Sequence, residues 1–582
     1  MENRRIITCV ASILFTLAML LACFPSDVKA WDNATFHMAA NKKALELFET
    51  RQAGLAYLQL ATLSGRASYG MAWDPTDGTD QLHPSVSVRR QKSVQDWIIM
   101  GGFSGDEPEG PMALRHFYNP LNNAQPWLTD QQWIVNQLQR YVSSTIRNPE
   151  ISLVDWAADT QKGEIDEYFL PQKYSWPDAK ANFRLALAST DPDNDYYGAA
   201  WRAVGETMHL VADLTLPPHV RNDGHAGFSR LWGLIKVGDP DPLEPSTLAG
   251  PVDQYDFSAG GWTTAVDYEQ DVIQMMRQLA SWTNANFLSK DTIPLPGWTT
   301  TANGGPIFPS PNPIGLTPNA YGYIVYNVDG TEYRMVRQSA IYRSGVAPRD
   351  LYVIDGGVIL DQRKLLIPTA VRAAEVVIER FLPRFEVEIE IEEDSGTPGQ
   401  YSVHGSLIHD RGYEWAAERP GVGDERLIVR NGAYVVVNGA KSAVPLYNND
   451  NLNEFTIAVS ASPGDKVKVL YDLGGYTIES ETFTIKASQQ EYSCRVMLED
   501  TEGNTAYYCD IKFFRDGKQY GETLSVQNTS HLGMIGEMTF ERGHYTAEVD
   551  YAPVIGWKHT TIEFNIPDDL DSHDWLTLIV PK

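Results

Sequence analysis

The sequence predicts a multidomain chain in which an all-α domain is followed by all-β sandwich modules, and three observations carry that expectation. From Trp31 to about Pro383, apolar residues recur at helical spacing. Near Arg384 the period switches to two: Phe385, Val387, Ile389 and Ile391 alternate with Glu386, Glu388, Glu390 and Glu392. From there to Lys582, strand-like runs are separated by turn clusters such as Asp394-Ser395-Gly396 and Asp472-Leu473-Gly474-Gly475. The roughly 200 residues involved suit two sandwiches of about 100 each. The expected organisation is a leader over 1–30, a helical domain over 31–383, and β modules over 384–487 and 488–582.

Within the helical part, the apolar spacing predicts helices over Ala39–Ala61, Ser93–Met100, Asp130–Ile146 and Ala179–Ala188. Asp195–Ala212 reads as one helix ending near Pro217-Pro218, and Thr264–Phe287 and Lys364–Phe381 as two more. Ile293–Pro318 is dense in Pro, Gly, Asn and Thr and reads as a loop. Tyr321–Arg337 carries Asp329-Gly330 between Tyr and Val residues, a hairpin signal.

The chain has 582 residues, formal charge −28, 43% hydrophobic, 11% aromatic and 21% charged residues. The ordinary charged fraction and rich aromatic content argue against a disordered or low-complexity assembly. The negative charge argues against a groove tracking a nucleic-acid backbone, because phosphates need Lys and Arg partners. A phosphate ester held by metal ions stays open, since the ions bring their own positive charge.

Met1–Ala30 reads as a secretory leader: Arg4 and Arg5 precede the apolar run Ile6–Leu21, and Val28-Lys29-Ala30 offers a cleavage site. Removing it takes the net charge to −29. No other long apolar segment exists, so the expectation is a secreted or periplasmic protein with no transmembrane segment. A lipid-modified Cys23 is the competing reading, opposed by the bulky Leu21. Cys494 and Cys509 flank the turn-like Glu499–Asn504, and in an exported protein two strands of one hairpin would join them as a disulfide.

The histidines are clustered. Six of twelve lie in the helical region, and the densest stretch runs from Glu206 through His209, Asp213 and His219 to His225. His209 and Asp213, four apart on a helix, project from one face. Imidazole and carboxylate are the ligands zinc accepts at about 2.0–2.2 Å. Such a pair alone is more often a helix-surface pair, but His219 and His225 follow closely and tilt the reading toward metal. A second stretch places Asp106 in a loop after Trp97–Gly105, with His116 beside Phe117 and Tyr118. The third feature is Trp31: cleavage after Ala30 frees an α-amino group that, with its own carbonyl, can chelate a metal, and His37 follows shortly after.

Together these stretches resemble the zinc-dependent phospholipase C family, whose alpha-toxin-type members add a β-sandwich domain. The resemblance spans roughly Trp31 to Pro383 and lies in motifs rather than in a continuous match. It implies an all-α zinc-dependent phospholipase C-like domain and up to three Zn2+ ions. The matching metal ligands are Trp31, His37, Asp106, His116, His209, Asp213, His219 and His225, with Asp106 also the catalytic base and Asp213 bridging two ions. Where the family commonly has an acidic ligand four residues after the last His, this sequence has Ser229. Glu244 is the preferred replacement, with Asp239 and Asp241 close behind. The short Trp31-to-His37 spacing is nearer that of the related single-strand-specific zinc nucleases.

The expected activity is phosphodiester hydrolysis by a secreted zinc enzyme, a phospholipase C acting on zwitterionic phospholipids. An anionic bilayer would repel so acidic a protein. The β modules would supply peripheral contact with the membrane surface. The alternatives are a zinc nuclease or nucleotidase, and a non-catalytic surface-binding protein with structural zinc. The six histidines of the β modules show no ligand spacing and read as ordinary residues.

Overall fold

In the computed structural model the described residues are 36–52, 62–63, 67–72, 88–107, 112–130, 150–159, 173–191, 193–225, 227–231, 235–238, 241–243, 251–297, 299–301, 306–339, 352–383, 385–393, 399–409, 427, 429–430, 432–442, 454–486, 491–505, 508–526, 534–552, 556–571 and 573–581. The leader, Trp31, Asp239, Glu244 and the helix expected beyond Asp130 lie outside them.

The helices begin where their caps dictate. After α1 (Met38–Gln52), α2 (Val94–Ser104) starts at Ser93, whose hydroxyl accepts the Asp96 N–H. Ser152 caps α3 (Leu153–Ala158) in the same way, and Ser175 with Asp178 forms a capping box on α4 (Trp176–Ala188). α5 (Tyr196–Asp213) is followed by the short α6 (Pro217–Val220). Asp271 caps α7 (Val272–Asn286), starting it eight residues later than the apolar spacing suggests. Asp355 accepts the Gly357 and Val358 amides and starts α8 (Gly356–Phe381) eight residues earlier than expected.

α5 is the core helix. It buries Tyr197 and every residue from Ala200 to Asp213, and packs against α2, α4 and α8. A helix enclosed all round must present apolar or internally satisfied groups on every face. Two of its charged residues are accordingly paired: Arg202 Nε donates to Glu206 Oε1 at 2.7 Å, and Ser104 Oγ donates to the same oxygen at 2.8 Å.

The all-α expectation for the N-terminal domain is overturned: the described residues are mixed, 31% helical and 35% strand. The antiparallel pairs β2 (Ala67–Ala72) with β3 (Val88–Ser93) and β4 (Gly227–Leu231) with β5 (Ile235–Gly238) lie among the helices. So does a three-stranded sheet of β6 (Tyr323–Val328), β7 (Thr331–Gln338) and β8 (Tyr352–Val353). Of these the sequence announced only β6–β7, through Asp329 and Gly330, both at positive φ. β3, Val-Arg-Arg-Gln-Lys-Ser, has no apolar alternation; its partner β2 packs on α5, where a Cβ on Gly70 would stand 3.1 Å from Gly198 Cα.

The chain divides into two compact units. The first holds the described residues up to Glu392 together with Ser402–Ala458 and Val467–Phe483, and the second holds Glu393–Tyr401, Val459–Lys466 and Thr484–Lys582. Strands downstream of the helices therefore belong with them. β1 (Thr62–Leu63) pairs with Tyr476–Glu479, and Trp201 Nε1 on α5 donates to Gly474 O at 3.1 Å.

The second unit is a β-sandwich. Glu491–Asp500 pairs antiparallel with Met534–Glu541 and parallel with Trp575–Val580, while a four-stranded sheet orders Lys518–Val526, Cys509–Arg515, Gly543–Tyr551 and Lys558–Ile566. Inner residues of both sheets, among them Val496, Phe513, Phe540, Tyr545 and Leu576, form one buried apolar cluster. Cys494 and Cys509 sit on strands of different sheets, not on one hairpin ladder, and both are buried free thiols, so the expected disulfide is not formed.

Candidate metal centre

Close helix packing brings the predicted residues together. α2 crosses α5 at glycines: a Cβ on Gly101 would run into the backbone of Gly205. One on Gly102 would stand 2.8 Å from the His37 carbonyl carbon, and one on Gly105 would stand 2.8 Å from His209 Cγ. Asn41 on α1 donates to Ile98 O at 2.9 Å and Gly205 O at 3.0 Å, tying three helices at this crossing. The approach aims main-chain carbonyls at imidazoles. Gly102 O lies 2.8 Å from His209 Nδ1, Gly105 O lies 3.3 Å from His116 Nε2, and His116 O lies 2.7 Å from His219 Nδ1. Only an N–H satisfies a carbonyl, so these contacts assign one ring proton to each imidazole and leave the other nitrogen's lone pair facing inward.

The inward nitrogens of His116 and His209, and Nε2 of His37, face carboxylates. His116 Nδ1 is 2.8 Å from Asp213 Oδ2 and 3.1 Å from Asp106 Oδ1. His209 Nε2 is 3.4 Å from Asp213 Oδ2 and 3.6 Å from Asp106 Oδ1, and His37 Nε2 is 3.3 Å from Asp213 Oδ1. His37, His209 and Asp213 are wholly buried, and His116 and Asp106 nearly so. Both ring nitrogens of His37 and both oxygens of Asp213 lack a hydrogen-bond partner. Lone pairs opposed to lone pairs in a dry interior repel unless a proton or a metal cation lies between them.

Electrostatics point the same way. Burial alone would raise Asp106 and Asp213. The His209 and His116 imidazoles at Asp106, and those of His219, His209 and His116 at Asp213, outweigh it and hold both carboxyls below the usual range. Burial opposes charge on His209, yet Asp106 and Asp213 draw a proton to it and raise it. Burial, then the charge on stacked His209 at 3.7 Å, pushes His37 down to about 4.

Two triads offer donor atoms within 4.8 Å of one another: His37, His209 and Asp213, and Asp106, His116 and His209. Ligands bound to a tetrahedral ion at 2.0–2.1 Å stand about 3.3 Å apart, close to the separations above. The nitrogen and oxygen donors, with outer imidazole N–H groups held by carbonyls, fit a divalent cation.

No protein-family model matches this chain, and no curated protein matches it. Among solved structures, the Bacillus anthracis TIE protein is similar at a TM-score of 0.15 and 12% identity, over 41% of this chain and 47% of that one. This chain thus spans about half the length of that protein, and a likeness so slight carries no argument about fold or function.

Of the remaining expected ligands, the described His219 and His225 fall outside both triads. His219 stacks on Phe117 at 4.8 Å, with its Nδ1 3.8 Å from Asp213 Oδ2. His225 lies beside it, ring centroids 5.0 Å apart, and its Nδ1 bonds the Asp223 carbonyl. Asp241, one of the carboxylates offered in place of Ser229, accepts the Leu243 and Lys290 amides at 2.8 and 3.0 Å and ties its loop to the segment at Lys290. Sequence reasoning missed Glu107, whose buried carboxyl is pushed up to about 8 by burial and by Asp106. It also missed the glycine crossing, for which Gly101-Gly102 and Gly105 in one short run were the available signal. In the β region His404, His544 and His559 bond Thr456, Asn565 and Asp550, as expected of ordinary residues.

Proposed function

We propose that the chain is a divalent-metal-dependent phosphodiesterase, a zinc enzyme of phospholipase C type acting on zwitterionic phospholipids. The supporting observation is the buried cluster of His37, Asp106, His116, His209 and Asp213, in which imidazole lone pairs face carboxylates. His37, His209 and Asp213 would hold one ion and Asp106, His116 and His209 face a second position, with His219 and His225 flanking them. Bound there, divalent ions lower the pKa of water and neutralise charge on phosphate oxygens.

The residues supply the rest. Asp106, the most accessible member of the cluster at 6% exposure, takes the proton of the water that attacks phosphorus. Carbonyls of Gly102, Gly105 and His116 fix the imidazoles so that nothing needs to reorganise during the reaction. Attack in line with the glycerol oxygen expels diacylglycerol and releases the phosphorylated headgroup. In this reading, export with cleavage after Ala30 adds the Trp31 amine to the site.

The test is hydrolysis of a choline phospholipid, a nucleoside 3′-phosphate and bis(p-nitrophenyl) phosphate by zinc-loaded protein, before and after chelation. Chelator-sensitive release of phosphocholine supports the proposal. Preference for the nucleotide moves the enzyme to the nuclease class, and bound zinc without any hydrolysis makes the site structural.

A further inference from the structure

From Thr292 to Val328 the sequence contains no Asp, Glu, Lys, Arg or His, in a chain that is 21% charged overall. This tract carries three large apolar side chains turned outward within eight residues: Ile314 is 37% exposed, Leu316 44% and Tyr321 75%. Isolated exposed apolar residues are ordinary, but a cluster free of charge marks a contact surface.

The tip is held in shape. Asn312 Oδ1 accepts the Ile314 amide at 2.9 Å, and Asn319 Oδ1 accepts those of Tyr321 and Tyr323 at 3.0 Å. Tyr352 donates its hydroxyl to Pro313 O. A surface ordered beforehand loses little conformational entropy on binding. The tract is also fastened beside the metal cluster. Arg221, two residues after His219, is fully buried, donates to Ser310 O at 2.9 Å and lies over the Phe308 ring at 4.4 Å.

We propose that this charge-free tract docks the protein on a zwitterionic phospholipid surface, with Ile314, Leu316 and Tyr321 entering the interface. The proposal rests on the phospholipid reading of the site. A protein partner would be selected through charges at the rim of the contact, and the tract has none. A lipid interface instead takes apolar tips and a tyrosine at headgroup depth. The net charge of −28 would repel an anionic leaflet, leaving a zwitterionic one as the surface it can approach.

The experiment sediments the full-length protein with phosphatidylcholine vesicles and compares it with the triple variant Ile314→Ser, Leu316→Ser, Tyr321→Ser. Binding by the parent, with a loss of about tenfold or more in the variant, supports docking. It must come with unchanged thermal melting and an unchanged rate on soluble bis(p-nitrophenyl) phosphate. A folded variant that sediments like the parent overturns it, as does a parent that ignores the vesicles. So does a parent dimer on gel filtration that the triple variant abolishes, since the patch then meets a second copy. If the variant melts lower, Tyr321→Ser alone, at the most exposed position, supplies the comparison. Vesicle binding without hydrolysis of any phosphodiester refutes the enzymatic reading and leaves the docking intact.

Discussion

The two units differ in the polar groups they bury. The sandwich encloses an apolar cluster from Cys494 to Val580, and its described histidines stay outside: the His544 and His559 side chains are 59% and 57% exposed and bond ordinary polar neighbours. The first unit encloses five imidazoles with Asp106 and Asp213, and four of their polar atoms, on His37 and Asp213, have no hydrogen-bond partner. A buried polar atom without a partner costs about 1–3 kcal/mol. A fold that gathers four of them at one point could hold a cation there, whereas no such atom is found among the described residues of the sandwich.

The sharpest contrast comes from substituting one residue of the buried cluster and one surface histidine of the sandwich. Asp213→Asn is expected to cost more than the roughly 10–100-fold in metal affinity typical of a partner one layer out, and to remove chelator-sensitive hydrolysis. His559→Ala should change neither; metal titration and assay of both variants check this. Next comes Gly101→Ala, where the added methyl meets Gly205. Overpacking at that crossing should cost about 1–3 kcal/mol, visible in thermal or denaturant melts, and should weaken metal binding as well by moving the carbonyls off His209 and His116.

The sandwich answers to pH through its thiols. Burial, then Asp574 for Cys494 and Asp510 for Cys509, raises both from 9.0 to about 11. The unfolded thiols ionise first, so their contribution is intact below about pH 9 and is lost as pH rises toward 11. Cys494→Ala with Cys509→Ala should flatten that part of the stability profile. Both thiols should resist a thiol reagent in the native chain and react on denaturation; a chain in which neither ever reacts carries the disulfide after all. The smallest effect is expected at Ser104→Ala, which removes one bond to Glu206 while Arg202 keeps the other. A loss of about 1 kcal/mol in stability, with hydrolysis retained, is the expected result.

The same contrast explains what the sequence disclosed. His209 and Asp213 were legible because helical spacing alone puts them on one face, and His219 because a Pro-Pro break lets the chain turn back. The period-two run from Phe385 appears as a strand, Phe385–Glu393, with alternating burial. The helix crossing was not legible, because the value of Gly101 and Gly205 lies in a contact between segments far apart in sequence. The β2–β3 pairing was hidden by the polar Arg89-Arg90-Gln91-Lys92 run of an exposed strand. The joining of later strands to the helical unit was equally hidden, because periodicity reports a strand but not the unit it joins.

The most direct measurement is metal analysis of the protein purified without chelator, alongside Asp213→Asn, followed by zinc titration of chelated protein under conditions where both stay folded. The expected result is at least one tightly bound divalent ion per parent chain, up to three, with a smaller stoichiometry in the variant. A folded parent that neither carries nor takes up a stoichiometric divalent ion would contradict the proposed centre.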